Sequence, residues 1–263
     1  MELGENPIKA ALKAQRKLIG SWVMSGNPAI AEAMGCCGLD FLILDMEHSA
    51  TDLPQMADLL RAVAATPAEA IVRLAGHDPV TLRRVLDAGA RTVMVPFIDT
   101  PEQAAALVRN TRYPPEGDRG LAMMIRASRY GRATDYTRTA NSEVCFIAQI
   151  ETRAALQALP RIAAVDGVDA LFFGPGDLSA AAGVPWQVRS DTVRELMADA
   201  SAQCRAAGLA AGTVVPDAAS MGWAHEAGFS LLSAGNDMAF VVSGASNVAA
   251  TGADLGKGAA GQT

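Results

Sequence analysis

The chain has 263 residues, half of them hydrophobic and few aromatic, enough for one large α/β domain or two small ones. Its formal net charge is -6, from 22 lysines and arginines against 28 acids, so it lacks the basic footprint of a nucleic-acid-binding protein. The amino-terminal segment is polar, with no signal-peptide core, and no apolar run approaches the ~18 residues of a membrane span; a cytoplasmic protein that meets neither membrane nor nucleic acid is expected.

Short apolar runs predict strands at 18–23, 40–44, 70–74, 92–96, 144–150, 170–173, 210–215 and 230–233. Amphipathic stretches between them predict helices, for example over 53–65, 80–88, 101–112 and 192–207. In the last of these Val193, Leu196, Met197, Ala200 and Cys204 fall on one face. The joints carry the expected punctuation. Thr100-Pro101-Glu102 opens a helix with a cap and a proline, and Leu86-Asp87-Ala88-Gly89-Ala90 closes one at a glycine. Eight β/α alternations in this length indicate a closed (β/α)8 TIM barrel. A doubly wound open sheet is the competitor, but it favours a glycine-rich phosphate turn after the first strand, and Ser25-Gly26-Asn27-Pro28 is not one. The barrel is expected to occupy residues 1–250 as a single domain with an N-terminal helix. The Gly/Ala-rich tail 251–263 is expected to be disordered. Segment 113–142 holds Pro114-Pro115-Glu116-Gly117 and many arginines, and is too long for a simple connection. It reads as a lid, an interface arm or an extra small helix, and its place after a helix puts it at the wrong end of the barrel for a lid.

The four cysteines, Cys36, Cys37, Cys145 and Cys204, form neither a disulfide framework nor a zinc spacing and fit a reducing compartment. The chemistry is expected at the C-terminal ends of the strands. There the apolar run Phe41-Leu42-Ile43-Leu44 meets Asp45, Glu47 and His48; Arg73 ends the third strand; Gln149 and Glu151 end the fifth; and Gly174-Pro175-Gly176-Asp177 follows the sixth. Two carboxylates on neighbouring strands, Glu151 and Asp177, suit a hard divalent ion that keeps open positions for water and substrate. Taken singly, each reads equally well as a helix cap. Arg73 reads as a two-pronged carboxylate binder or oxyanion stabiliser, or as the ion-pair partner of Asp45 or Glu47. His48 is a candidate acid/base, with Asp45 or Asp87 placed to orient it, or else a structural histidine. His77 reads as loop surface before site, and His225 as structural. The lysines are Lys9, Lys13, Lys17 and Lys257, none of which can follow a barrel strand, so Schiff-base chemistry is excluded. A carbanion here would need a metal and an arginine instead. The Gly174-Pro175-Gly176 turn exposes backbone N–H groups that can hold a carboxylate or phosphate.

Seven pieces occur in one order along the chain: LDMEHS at 44–49, VR at 72–73, LDAGA at 86–90, MVP at 94–96, YPPEGDRG at 113–120, QIET at 149–152 and GPGDLS at 174–179. Together they resemble the HpcH/HpaI aldolases, metal-dependent class II pyruvate aldolases with a phosphoenolpyruvate/pyruvate-type barrel. The resemblance implies reversible cleavage of a 4-hydroxy-2-oxo acid to pyruvate, or hydroxypyruvate, and an aldehyde. It implies Glu151 and Asp177 as ligands of Mg²⁺, Mn²⁺ or Co²⁺, Arg73 on the keto oxygen, and His48 with Asp45 or Asp87 as acid/base. It further implies Gln149 beside the metal, Gly174 and Gly176 with Asp177 on the substrate, and a homo-trimer or homo-hexamer with an exchanged helix. The chain departs from the family pattern at Gly176 and at Gly235-Asn236-Asp237. Two other readings stand beside this one. One is a citrate- or malyl-CoA-type acyl-CoA lyase, using the arginines between 112 and 138 for the CoA phosphates. The other is a non-catalytic ligand-binding barrel.

Overall fold

Each of the first seven strands is followed by helical structure that carries the chain back to the starting end of the barrel, and the eight strands close on themselves. The computed structural model describes residues 4–259. Its order is α1 (Pro7–Lys13), β1 (Leu18–Val23), α2 (Pro28–Gly35), β2 (Phe41–Asp45), α3 (Leu53–Val63), β3 (Glu69–Arg73), α4 (Pro79–Asp87), β4 (Thr92–Val95) and α5 (Pro101–Thr111). It continues with α6 (Tyr136–Glu143), β5 (Cys145–Ile150), α7 (Arg153–Ala163), β6 (Ala170–Phe173), α8 (Pro175–Ala181), α9 (Asp191–Ala206), β7 (Ala210–Val215), α10 (Ala218–Glu226), β8 (Leu231–Asn236) and α11 (Asp237–Ala259). The strands pair in parallel in sequence order, and β8 returns to β1 to close the (β/α)8 barrel.

Alternation along each strand divides the core in two. Phe41 and Ile43 of β2 point into the barrel with Trp22, Ile71, Met94, Ile147 and Phe172, while Leu42 and Leu44 pack outward against the helices. The ring of Phe41 fills the space over Gly20, where any Cβ would collide with it. Ile8 and Leu12 of α1 join the inner cluster, so this helix plugs the N-terminal mouth of the barrel. Lys9 of the same helix donates to the Val144 carbonyl at 2.8 Å and pairs with Asp169 at 3.2 Å. The outer helices start on side-chain caps, among them Asn27, Asp78, Thr152 and Ser190, and Thr100 with Gln103 completes a capping box. Such caps stabilise a helix by about 1 kcal/mol each.

The long segment before β5 contributes a small helix, α6, at the end of the barrel opposite the strand C-termini. Its anchor is Arg119, fully buried, which stacks on Tyr113 and Tyr136 at 4.6 and 5.7 Å and pairs with Asp87 at 2.8 Å. Arg126 ties the same segment to the carbonyls of Leu60 and Ala88, at the C-terminal ends of α3 and α4. Of the three readings of this segment the extra helix is the one observed, and nothing in it covers its own barrel's C-terminal face. The expected irregular tail also differs: α11 runs on through Thr251 to Ala259, and only 260–263 of that tail fall outside the described residues. Among the described residues no helix is long and apolar enough to cross a membrane.

Candidate active site

The parallel register sets Asp45 at the end of β2 directly opposite Arg73 at the end of β3. Both are buried, and the guanidinium meets the carboxylate through two parallel bonds, Nε–Oδ1 at 2.7 Å and Nη2–Oδ2 at 2.9 Å. The third nitrogen, Nη1, lies 2.9 Å from Glu47 Oε2. The flat face of the guanidinium stacks on the Trp22 indole at 4.3 Å, and Trp22 in turn donates to Ser233 Oγ at 2.9 Å. Arg73 is therefore fixed on three edges and one face. The Asp45 carboxylate also accepts from the backbone N–H groups of Glu47 and His48, at 3.0 and 3.2 Å, which shapes the loop after β2.

A second group of oxygens gathers at the ends of β5 and β6. Gln149 Nε2 donates to Glu151 Oε1 at 2.5 Å, and the Phe97 backbone N–H points at Oε2 from 3.4 Å. Gly174 leaves the space that Glu151 occupies, since a Cβ at that position would lie 2.5 Å from Oε1. Burial raises the Glu151 carboxyl to about 7, and the charges of Asp177 and Glu47 add to the effect. The Glu47 carboxyl is raised as well, chiefly by burial, against the opposing pull of Arg73 and His48. Asp177 stands in the first turn of α8, which has no side-chain cap, so the backbone N–H groups of Gly176 and Asp177 belong to the open end of that helix. Two buried acceptors in this region, Glu47 Oε2 and Gln149 Oε1, have no hydrogen-bond donor; Arg73 approaches the first closely but without hydrogen-bond alignment. Crowded carboxylates, two orphaned acceptors and an acid pushed toward neutrality are what an oxygen-liganded cation would relieve.

The sequence-predicted residues are not all brought together. Asp45, Glu47, Arg73, Gln149, Glu151, Gly174, Gly176 and Asp177 share one rim. The His48 ring stands at its edge, its side chain 61% exposed, with Nε2 3.9 Å from Glu47 Oε2. Asp45 meets His48 only at the backbone N–H, because its carboxylate is committed to Arg73. Asp87 closes α4 at the far end of the barrel, paired with Arg119, so within one chain it does not reach His48. His77 lies between the rim loops with Nε2 2.7 Å from the Pro96 carbonyl, and His225 is exposed on α10. Trp22 and Phe97 do not stand out in the sequence: one reads as a core residue of a strand, and the other depends on a backbone conformation that its apolar side chain does not advertise.

The family model for HpcH/HpaI aldolase/citrate lyase matches residues 18–243, which span the whole barrel and every residue of this rim. The chain belongs to the HpcH/HpaI aldolase/citrate lyase family. It is 43% identical over 237 residues to the 2-dehydro-3,6-dideoxy-6-sulfogluconate aldolase of Pseudomonas putida, covering 90% of this chain and 93% of that protein. It is 40% identical over 228 residues to a hydroxypyruvate/pyruvate aldolase of Sagittula stellata, covering 87% and 90%. Among solved structures, an HpcH/HpaI aldolase/citrate lyase family protein from Burkholderia cenocepacia superposes with a TM-score of 0.90 at 39% identity, covering 94% of this chain and 98% of that one. As a member of this family, the protein is a carbon–carbon lyase of the aldolase kind.

Proposed function

We propose that the rim cleaves 4-hydroxy-2-oxo acids reversibly to pyruvate, or hydroxypyruvate, and an aldehyde, with a divalent metal held by Glu151 and Asp177. The observation that carries this reading is the pairing of a buried carboxylate group with a fixed guanidinium on a rim that has no lysine among the described residues. Lys9 lies under the barrel, and Lys13 and Lys17 precede β1. Among the described residues no set of three or more His, Cys, Asp or Glu side chains is arranged to hold a metal, so a cation here would complete its shell from substrate and water. When bound, Mg²⁺, Mn²⁺ or Co²⁺ would act as a Lewis acid toward the 2-oxo group.

The chain's own residues supply the rest. Arg73 presents a fixed positive charge to the oxygen that becomes negative as the carbon–carbon bond breaks, with no reorganisation, because Asp45, Glu47 and Trp22 already hold it. The N–H groups of Gly176 and Asp177, at the open end of α8, bind the substrate carboxylate, and Gly174 lets the turn approach it. Gln149 steadies Glu151. His48, exposed at the rim, takes the proton of the 4-hydroxyl through water, and Asp87 joins it only when a second copy of the chain presents it. The helix α11 gives a second copy a place to dock: every residue from Met238 to Ala253 is exposed. A cytoplasmic homo-trimer or homo-hexamer is proposed accordingly.

Three of the arginines that the acyl-CoA lyase reading would use are engaged elsewhere: Arg112 pairs with Asp166, and Arg119 and Arg126 serve the far end of the barrel. The test is pyruvate release from 4-hydroxy-2-oxo acids with and without added metal. Release should stop on chelation, return with Mg²⁺ or Mn²⁺, and leave no borohydride-trapped protein. Turnover that survives thorough chelation would overturn the reading.

A further inference from the structure

Phe97 borders this rim, and the chemistry above leaves its side chain unused. It follows β4, between the strand that ends in Arg73 and the strand that leads to Glu151. Its φ is 54°, a left-handed conformation that bulky side chains rarely adopt. That conformation accompanies the N–H aimed at Glu151, and both neighbours are pinned. The Pro96 carbonyl is held by His77 at 2.7 Å, and Ile98 N–H donates to the Gln149 carbonyl at 3.1 Å. Glycine would take the same backbone path without strain and offer the same N–H. The chain carries a phenylalanine instead, and that residue is 40% exposed while all of β4 is buried. Val80, in the first turn of α4 on the adjoining rim loop, is 51% exposed. Two apolar side chains thus stand open just beyond the C-terminal ends of β3 and β4, beside a site whose other side chains, apart from Trp22, are charged or polar.

We infer that Phe97 is a specificity-determining residue whose ring walls the place taken by the C4 substituent of the substrate, the part that leaves as the aldehyde. The inference rests on the proposed aldolase function. The 2-oxo acid half is met by Arg73, Glu151, Asp177 and the α8 N–H groups, all of which recognise oxygen. An aromatic ring with no polar atom has nothing to offer that half and a large apolar surface to offer the other. An apolar chain on C4 gains by covering the ring, whereas a hydroxylated chain gives up water there without a replacement hydrogen bond. The enzyme therefore favours aldehydes with an apolar chain over small hydroxylated ones.

The experiment measures condensation of pyruvate with pentanal and with glycolaldehyde, and reads the ratio of the two kcat/KM values in the wild type and in Phe97→Ala, Phe97→Gly and Phe97→Leu. The wild-type ratio should favour pentanal and fall on the order of tenfold in the Ala and Gly variants. Leu, which restores apolar bulk, should recover most of it. A purely structural role would slow both aldehydes together and leave the ratio in place. Three outcomes overturn the inference alone: a wild type that prefers glycolaldehyde, a ratio unmoved in folded Ala and Gly variants, or a Leu variant no better than Gly. A wild type that forms no product from pyruvate and any aldehyde, yet is folded and metal-loaded, overturns the proposed function and this inference with it.

Discussion

Asp45 and Arg73 sit opposite one another in the β2–β3 register, and their side chains close a two-bonded fork at 2.7 and 2.9 Å inside the barrel mouth. A fork of this kind joins charge to geometry: the carboxylate fixes which way the remaining guanidinium N–H bonds point. In the proposed reaction Asp45 is a positioning residue, and the substrate-facing work falls to Arg73.

Replacing Asp45 by Asn removes one acceptor from the fork and leaves a buried guanidinium with only Glu47 as its counter-charge. Breaking a buried pair from one side costs about 3–5 kcal/mol. Urea unfolding of Asp45→Asn should show a loss of that order, and turnover should fall by a factor on the order of 100. Arg73→Lys should keep more stability than Asp45→Asn and less activity than wild type, because an ammonium keeps the charge but cannot form the fork. An Asp45→Asn protein with wild-type stability and turnover would show that the fork positions nothing.

Much of this arrangement is legible in the sequence. Asp45, Arg73, Glu151 and Asp177 announce themselves as charged residues at the ends of apolar runs, where a buried strand must open to solvent. The bounds of β1, β6 and β7 coincide with the expected ones, and the runs of β6 and β7 end abruptly at Gly174-Pro175 and Pro216-Asp217. β8 continues past Ser233 to Asn236 because its backbone still finds partners, Val215 opposite Ala234 and Trp22 opposite Asn236, although its side chains have stopped being apolar. Other features depend on three dimensions alone. Asp45 is consumed by an arginine 28 residues away, so its adjacency to His48 in sequence does not become a side-chain contact. Asp87 ends a returning helix and so lies at the far end from a residue that ends a strand. Trp22 is chemically silent until Arg73 lies on its face.

Glu151 makes the site sensitive to pH in the absence of metal. Its carboxyl is raised from 4.5 to about 7, chiefly by burial and then by Asp177 and Glu47. Because the folded-state value lies above the ordinary one, the protonated acid contributes stability that is fully present below about pH 4.5 and is lost as pH rises through about 7. Glu47 is raised too and acts in the same direction. Metal-free protein should therefore lose Tm between about pH 5 and pH 8. Mn²⁺, which needs the ionised carboxylate, should restore more Tm at the upper end of that range than at the lower. In Glu151→Gln the metal-free slope should flatten and the Mn²⁺ effect should shrink. Equal stabilisation by Mn²⁺ at both ends of the range would contradict the placement of the cation on this carboxylate.

Assembly is the property for which α11 matters most. The helix has 23 residues, about 35 Å at 1.5 Å per residue, and among the described residues its buried hold on the barrel lies at its start, where Asp237 accepts from the N–H groups of Met24 and Ser25 at 2.9 Å each. Beyond that turn Met238, Phe240, Val241, Val242 and Val248 are all close to half exposed or more. A helix of this composition draws its stability from tertiary packing, and here the single chain provides little. In the proposed assembly a second copy covers the helix and supplies the missing packing, and its loss should be visible as a change of mass in solution. The double variant Val241→Asp with Val242→Asp should shift the protein toward a monomer in light scattering coupled to size exclusion, with the barrel's far-UV circular dichroism largely kept. If Asp87 reaches His48 only across copies, turnover of that monomer should fall with the mass, whereas Mn²⁺ binding at Glu151 and Asp177 of the same chain should remain. An unchanged mass in the double variant would mean that α11 does not hold the copies together.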